Sequence, residues 1–245
     1  MTINTIMQRI QGNAHLDFGS VFGRSIDLFK KVWLQGFITL LLTMLLLLPF
    51  YILLYIPFIA MGITDPEMMK SEQMPPELIL PMLIFFPVFM LATMIITLLL
   101  NAAFLRICRQ KDLDEPGSDS YFFYFRKPYF RKALVLALVT LGLSLAGMAA
   151  CGLGLFYVIV PISLFPAFLA FNEELSATEI TKVAFALGNR NWLAIFGLLF
   201  LSGLLAQFGM VLCFVGIFFT AMLSKVPTYF VYKDGVRTAT DIALQ

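Results

Sequence analysis

The sequence predicts an all-α integral membrane protein, a six-span helical bundle with interfacial amphipathic helices. Of its 245 residues, 60% are apolar and only 13% are charged, whereas a soluble domain is about 25% charged. Uncharged runs long enough to cross a membrane recur along the chain, and charged segments separate them. The chain has too few polar residues to cover the surface of a water-soluble protein. Its apolar surface must therefore face lipid.

The first half of the chain predicts two spans. Residues 17–32 place apolar side chains at helical spacing, which is typical of an amphipathic helix in the headgroup layer. Residues 34–63 carry no charge and exceed the roughly 20 residues that a span needs, so we expect tilt, a kink at Pro49 or an unwound end near Pro57. The polar segment 64–77 is predicted to be a loop, and the second span follows at 78–105.

The second half predicts four more spans. The uncharged runs 133–171 and 193–224 are each long enough for two crossings. The first pair is predicted to turn at 152–154 and the second near 209–213. Between the pairs, Ser176 and Glu179 have the spacing of a capping box, which predicts the start of an interfacial helix.

The distribution of basic residues predicts the orientation. With six spans, the loop 64–77 contributes Lys70 alone to the outer side, and all other Lys and Arg residues fall on the opposite side. The positive-inside rule assigns that side, with both termini, to the cytoplasm. The segment 1–15 has no cleavable signal pattern. We therefore expect a single multi-pass domain, 1–245, in the inner (cytoplasmic) membrane.

Matching motifs suggest three repeats of an interfacial helix followed by a helical hairpin. Trp192 and Trp33 each open a span with the same following pattern, and the Cys-x-x-Gly motif at Cys151 recurs at Cys213. The units are about 16–106, 118–172 and 175–234. The alternative is a general similarity between apolar segments.

The run from Gly154 through Pro161, Pro166 and Glu173 to Ser176, followed by Asn191-Trp192, resembles the membrane domain attached to some glycerophosphodiester phosphodiesterases, and its stand-alone bacterial relatives. The match is clearest over 151–208. The resemblance implies a six-span bundle with interfacial helices and implies no catalytic residues. No hydrophilic stretch here is long enough to form the phosphodiesterase domain, so that activity is not expected.

Composition excludes several kinds of chemistry. One histidine, His15, and three scattered cysteines cannot build a multi-histidine metal site or a zinc cluster. The net charge of +2 gives no broad basic face for nucleic acid. Glu173 and Glu174 are interpreted as a solvated entry to the next helix, and Lys225 as an interfacial lysine whose ammonium reaches the membrane surface. We expect no catalytic residue, no metal and no cofactor.

The spans contain few strongly polar groups. Asn101 and Gln207 are the two amides, and interhelical hydrogen bonds are the favoured explanation, with a substrate path as the alternative. Small residues recur every four positions in the third span, and this packing seam is expected to lie inside the bundle or, alternatively, to meet a partner or a second copy. The seam consists of Gly142, Ala146, Ala150 and Gly154.

Candidate contacts with lipid or a partner lie at the inner interface. Basic and aromatic residues alternate over 121–132, which suits anionic headgroups, although ordinary membrane anchoring would explain the pattern too. These contact residues are Trp33, Arg126, Lys127, Arg131, Lys132 and Trp192. Cys151 and Cys213 near the outer turns are expected to be buried thiols, with a disulfide as the alternative.

These observations favour a non-enzymatic protein that organises lipid or serves as an accessory subunit of a membrane complex. Its partners would be membrane lipids, anionic ones among them, and a membrane protein or a second copy. The alternative is a small-molecule or lipid transporter, flippase-like in type, with Asn101 and Gln207 on the path.

Overall fold

The computed structural model describes residues 2–13, 15–60, 76–150, 152–211 and 216–236, and the secondary structure of these residues is helical, with no strand among them. Short 3-10 helices occur at Phe123–Phe125 and Ala221–Lys225. The α-helices are α1 (Ile3–Gly12), α2 (Phe18–Ala60), α3 (Pro76–Asp112), α4 (Lys127–Ala149), α5 (Leu153–Phe171), α6 (Ala177–Arg190), α7 (Trp192–Val211), α8 (Gly216–Thr220) and α9 (Val226–Val236).

In this part of the chain, five helices are long and apolar enough to cross a membrane: α2, α3, α4, α5 and α7. The prediction of an all-α protein with several helices apolar enough to span a membrane is thereby confirmed. The region predicted to hold the sixth span is divided differently, since α8, the 3-10 helix Ala221–Lys225 and α9 follow one another. The predicted loop at 64–77 lies almost wholly outside the described residues, as do Lys70, Cys151 and Cys213.

Helices α2 and α3 form a long hairpin. Helix α2 has 43 residues and α3 has 37, which corresponds to roughly 64 and 55 Å at a rise of about 1.5 Å per residue. The predicted interfacial helix at 17–32 is not separate, because α2 runs without interruption from Phe18 and continues through Pro49 and Pro57. An amphipathic segment and an apolar segment have the same helical periodicity, so the two can form one continuous helix.

Threonines inside this hairpin bond to their own helices. Thr39 Oγ1 donates to the Gln35 carbonyl oxygen at 2.7 Å, and Thr43 Oγ1 to that of Thr39 at 2.8 Å. In α3, Thr97 Oγ1 donates to the Thr93 carbonyl oxygen at 2.6 Å. Such bonds satisfy hydroxyl groups where water is absent.

Two pairs of glycines lie in direct backbone contact. Gly152 has φ of +78°, which permits the predicted turn between α4 and α5. Beside that turn, a Cβ on Gly154 would lie 2.7 Å from the Gly147 Cα. Between α7 and α8, a Cβ on Gly209 would lie 2.6 Å from the Gly216 carbonyl carbon. Only glycine permits these approaches.

The buried core lies at one end of the bundle, which contains α1, α6 and the C-terminal ends of α3 and α9; we name it the charged end. Arg24 pairs with Asp234, and Lys233 Nζ lies 2.6 Å from Asp112 Oδ2. Asn13 Nδ2 donates to the Asp234 carbonyl oxygen at 3.1 Å. These contacts bring the N-terminal region and α9 together at the same end.

Helices α1 and α6 cover this end. Ile6 and Ile10 of α1 are buried, so the segment that appears merely polar in sequence is an amphipathic helix. In α6, Ser176 and Glu179 make the predicted capping box, with Ser176 Oγ accepting from the Glu179 N–H. The same hydrogen bonding holds the pKa of Glu179 below its ordinary value.

Candidate ligand cavity in the helical bundle

A cavity of ≈ 180 Å³ lies where α3, α4, α5, α7 and the start of α9 meet. It has room for several water molecules or one small polar group. Its polar lining residues are Thr97, Asn101, Thr140, Ser163, Lys225 and Thr228, and its apolar lining residues are Met94, Leu98, Ala137, Ile162, Phe165, Pro166 and Leu199. We name it the Lys225 cavity.

Lys225 is the charged residue on the cavity wall. It is exposed, whereas its neighbours Leu223 and Val226 are buried. It precedes Lys233 by eight residues, or roughly 12 Å along a helix axis, so it lies farther from the charged end than the ion pair of Lys233 with Asp112. Among the described residues, Lys225 has no ion-pair or hydrogen-bond partner. The sequence interpretation of Lys225 as a surface-reaching lysine stays a prediction, and the structure adds that this residue lines the cavity.

The cavity wall carries more hydrogen-bond donors than the neighbouring protein acceptors satisfy. Thr97, Thr140 and Ser163 donate their hydroxyl hydrogens to carbonyl oxygens of their own helices, at 2.6, 2.8 and 2.7 Å. The remaining donors are the Lys225 ammonium, the Asn101 amide and the Thr228 hydroxyl, and none of these side chains makes a hydrogen bond among the described residues. Since these groups supply up to five N–H donors, the cavity is suited to a ligand that accepts hydrogen bonds, and an anion above all.

The second predicted amide lies elsewhere. Gln207 is exposed on α7 beside Phe208, and it does not line the Lys225 cavity. No hydrogen bond among the described residues joins Asn101 or Gln207 to another helix. The two amides that the sequence groups together therefore have different surroundings, and one of them faces the cavity.

The predicted packing seam lies mostly on the outside. Gly142, Ala146 and Ala150 are exposed on α4, and a Cβ on Gly142 would meet nothing within 4 Å. Only Gly154 makes a close contact, and its partner is Gly147 rather than another member of the seam. Helix α4 turns its buried face, with Leu136 and Ala137, toward the bundle, which leaves the seam on the opposite side.

The predicted interfacial residues are largely accessible. Arg126, Lys127 and Arg131 are exposed at the start of α4, whereas Lys132 donates to the Glu173 carbonyl oxygen. Tyr124, in the same stretch, is fully buried and donates its hydroxyl to the Ala170 carbonyl oxygen at 2.9 Å. Burial raises the pKa of Tyr124, so this phenol stays protonated at neutral pH.

The two tryptophans differ in their surroundings. Trp33 is 43% exposed on α2. Trp192 Nε1 donates to the Tyr157 carbonyl oxygen at 3.2 Å, and its ring stacks on Phe196 at 4.9 Å. Trp192 thus ties α7 to α5, while Trp33 is accessible for contact with headgroups.

The described residues contain no group of three or more His, Cys, Asp or Glu side chains placed to hold a metal ion. Cys108 is a buried thiol at the charged end. Comparison with protein-family models, with curated proteins and with solved structures gives no match.

Sequence reasoning finds Asn101 and misses Lys225 and Thr228 as cavity residues. The signal for Lys225 is its context, because it is the single charge between the uncharged runs 193–224 and 226–232. A charge inside an apolar stretch is a functional hypothesis by default. Thr228, one turn along α9, gives no comparable signal in the sequence.

Proposed function

We propose that this membrane protein binds the anionic headgroup of an amphiphile in the Lys225 cavity and acts in lipid organisation rather than catalysis. The observation that carries the proposal is the Lys225 ammonium on the wall of a mixed polar and apolar cavity, without a described carboxylate partner. Asn101 adds amide donors beside it, and Leu98, Ile162 and Leu199 give the apolar contacts that an acyl chain requires.

The charge of Lys225 makes an anion the expected ligand. An ammonium group that is removed from water without a hydrogen-bond acceptor is costly. A carboxylate or phosphate oxygen that accepts from the ammonium offsets that cost through charge-assisted hydrogen bonds. A zwitterionic or neutral headgroup would offset less of it.

The test is a lipid titration of the purified full chain in uncharged detergent, followed by thermal unfolding and native mass spectrometry. Phosphatidylglycerol and phosphatidylcholine with identical acyl chains separate headgroup charge from chain binding. We expect the wild type to prefer phosphatidylglycerol and Lys225→Met to lose that preference, with affinity reduced about tenfold for a loss of roughly 1.4 kcal/mol.

Lys31→Met is the matched control, since Lys31 is exposed on α2 and makes no contact among the described residues. It removes the same charge outside the cavity and should keep the preference. Equal preference in wild type and Lys225→Met would contradict the proposal, even if both proteins bind anionic lipid at the exposed basic residues.

We infer a topology of six crossings with both termini on the cytoplasmic side of the inner membrane. Support comes from the contact of Asn13 with Asp234, because an even number of crossings returns the chain to its starting side. The basic charged end supports the orientation. A cytoplasm-restricted reporter inserted at Lys70 should give no signal and one at Glu115 should give signal; the reverse would overturn this orientation.

We also propose that the chain contains the three repeats described above. The glycine contacts support the last two units, since 147 and 154 have the same spacing as 209 and 216 and each pair joins two consecutive helices. The resemblance to the membrane domain of glycerophosphodiester phosphodiesterases remains a proposal, and no activity is transferred from it.

A second candidate function is transport of a small molecule or lipid, and the observation that favours it is Asn101 on the cavity wall. Gln207 would then not lie on the path. A liposome assay of anionic-lipid flipping decides between the candidates: Lys225-dependent flux supports transport, and binding without flux supports lipid organisation. A stoichiometric protein that co-purifies in mild detergent would instead support an accessory subunit.

A further inference from the structure

A second polar pocket, of ≈ 270 Å³, lies at the charged end between the C-terminal part of α3 and the end of α5. We propose that this pocket binds a phosphate group through Arg106 and Arg109. Gln110, Glu115, Tyr124 and Glu173 complete its polar wall. The proposal stands apart from the function assigned to the Lys225 cavity.

Both arginines present buried donors without acceptors. The Nη1 atom of Arg106 and the Nε atom of Arg109 are buried and have no hydrogen-bond partner in the described part of the chain. The two residues are three apart on α3, so they lie on the same face of the helix. A buried donor without an acceptor is costly, and a buried guanidinium more so. The neighbouring side chains therefore leave both guanidinium groups incompletely hydrogen-bonded at the pocket wall.

The guanidinium groups are held in place. Arg106 stacks over the Phe123 ring, with 3.8 Å between its Cζ and the ring centroid. Arg109 Nη2 donates to Glu115 Oε1 at 3.2 Å. Each group is thus fixed by one contact while keeping another N–H unpaired, and such preorganisation favours binding of an oxyanion.

The carboxylates of the pocket already have donors. Glu115 accepts from Arg109, and Glu173 accepts from the Tyr129 hydroxyl at 2.5 Å. Tyr124 is committed to the Ala170 carbonyl oxygen. The groups left to meet a ligand are the guanidinium nitrogens of Arg106 and Arg109 that are neither buried nor hydrogen-bonded, and the Gln110 side-chain amide, which makes no hydrogen bond among the described residues.

A phosphate fits these donors because its tetrahedral oxygens can accept from two guanidinium groups at once. The pocket is distinct from the Lys225 cavity, since Arg106 is roughly 7.5 Å along α3 from Asn101 and about 140° around the helix. Two sources could supply the group, a phospholipid headgroup or a soluble phosphate.

The experiment is a titration with phosphatidic acid and with diacylglycerol of the same acyl chains, which differ only in the phosphate. Inorganic phosphate, matched in ionic strength with chloride, is the soluble arm. Each is measured by thermal unfolding and native mass spectrometry of the full chain in uncharged detergent. All proteins carry Lys225→Met, so that the Lys225 cavity contributes no cation.

We expect phosphatidic acid to bind at least about tenfold more tightly than diacylglycerol, and Arg106→Gln and Arg109→Gln each to remove that difference. Arg131→Gln, at an exposed arginine on α4 without a described contact, should retain it. Arginine-dependent stabilisation by inorganic phosphate would assign the site to a soluble ligand, and its absence would assign it to a headgroup.

The milder variants Arg106→Lys and Arg109→Lys keep the charge and remove the forked donors, so they provide the same test if the glutamine variants do not fold. Phosphatidic acid binding that is unchanged in all four arginine variants would overturn the proposal. So would equal binding of phosphatidic acid and diacylglycerol to the parent protein. Neither result bears on the Lys225 cavity.

Discussion

The two ends of the α2–α3 hairpin have similar apolar sequences and opposite surroundings. At the charged end, Leu100 and Phe104 are fully buried among other helices, and ion pairs join α3 to α9 and α2 to α9. At the opposite end, which we name the apolar end (residues 48–59 and 79–91), Leu83 is 70% exposed and Ile59 is 65% exposed. Apolar character alone therefore does not distinguish a side chain packed in protein from one that faces lipid.

The comparison explains where specific chemistry can be located. At the apolar end, an apolar side chain gains little free energy from packing against a helix rather than against acyl chains, because lipid is as apolar as leucine. Toward the charged end, hydrogen bonds and ion pairs with other protein groups hold the polar side chains, so the geometry of these side chains can be fixed. The Lys225 cavity and the Arg106–Arg109 pocket both depend on helix α3, on its part nearer the charged end.

The largest expected difference between the ends is in packing. Leu100→Ala removes a fully buried side chain that packs with Leu47 and Ile96, and it should lower the free energy of unfolding by about 3 kcal/mol. Leu83→Ala, on the same helix at the apolar end, should cost less than about 1 kcal/mol, since its contacts are with lipid. Thermal or denaturant unfolding in micelles measures both, and equal losses would show that the apolar end is packed against protein.

The next effect concerns ion pairs. Asp112 accepts from Lys233 at 2.6 Å and from Tyr229 at 2.7 Å, and both members of the ion pair are mostly buried. Asp112→Ala leaves Lys233 without its carboxylate and should cost about 2–3 kcal/mol. Asp27→Ala, which breaks the exposed pair with Lys30, should cost less than about 1 kcal/mol. If the two variants unfold at the same temperature, the Asp112 pair makes no special contribution.

A third comparison uses glycines of α4 and α5. Gly154→Val places atoms against the Gly147 backbone and should destabilise the protein by about 1–3 kcal/mol. Gly142→Val meets nothing within 4 Å and should leave the unfolding temperature of the monomer unchanged. A loss of a dimer in Gly142→Val, detected by native mass spectrometry, would instead show that the exposed seam is an interface between copies.

The smallest effect concerns the α6 capping box. Ser176→Ala removes the N-cap oxygen and should cost about 1 kcal/mol. The pKa of Glu179 is lowered in the folded protein by its hydrogen bond with Ser176. Its contribution is therefore present above the ordinary Glu pKa and disappears as pH falls through the lowered value. Unfolding curves at pH 7 and at strongly acidic pH should differ less for Ser176→Ala than for wild type; an unchanged pH dependence would refute the coupling.

Much of the fold follows from sequence physics. Uncharged length predicts α3, α4, α5 and α7, and the capping box predicts the start of α6. Two features do not follow. Helix α1 is short, and its apolar positions Ile6 and Ile10 are evident only once α6 and α9 provide a surface to cover. Helix α2 continues through Pro49 and Pro57, whereas the local rule expects a proline to kink or end a helix.

The Lys225 cavity is less predictable from the sequence than the helices are, because it depends on the directions in which side chains point. Asn101 and Gln207 are equivalent in sequence, yet one lines the Lys225 cavity and the other is exposed on α7. Lys225 adjoins the end of an apolar run, which favours an interfacial position by distance along the chain. The arrangement of α3, α4, α5 and α7 around it determines the actual environment, and no local pattern encodes that arrangement.

The most direct test of the central claim is ligand protection inside the Lys225 cavity. Thr140→Cys, in a chain whose three native cysteines are replaced by alanine, introduces a thiol on the cavity wall while retaining Lys225. We predict that a small charged thiol reagent labels this cysteine, that phosphatidylglycerol slows the labelling more than phosphatidylcholine does, and that Lys225→Met abolishes this difference. A thiol that is not labelled, or that both lipids protect equally with Lys225 present, would contradict the account.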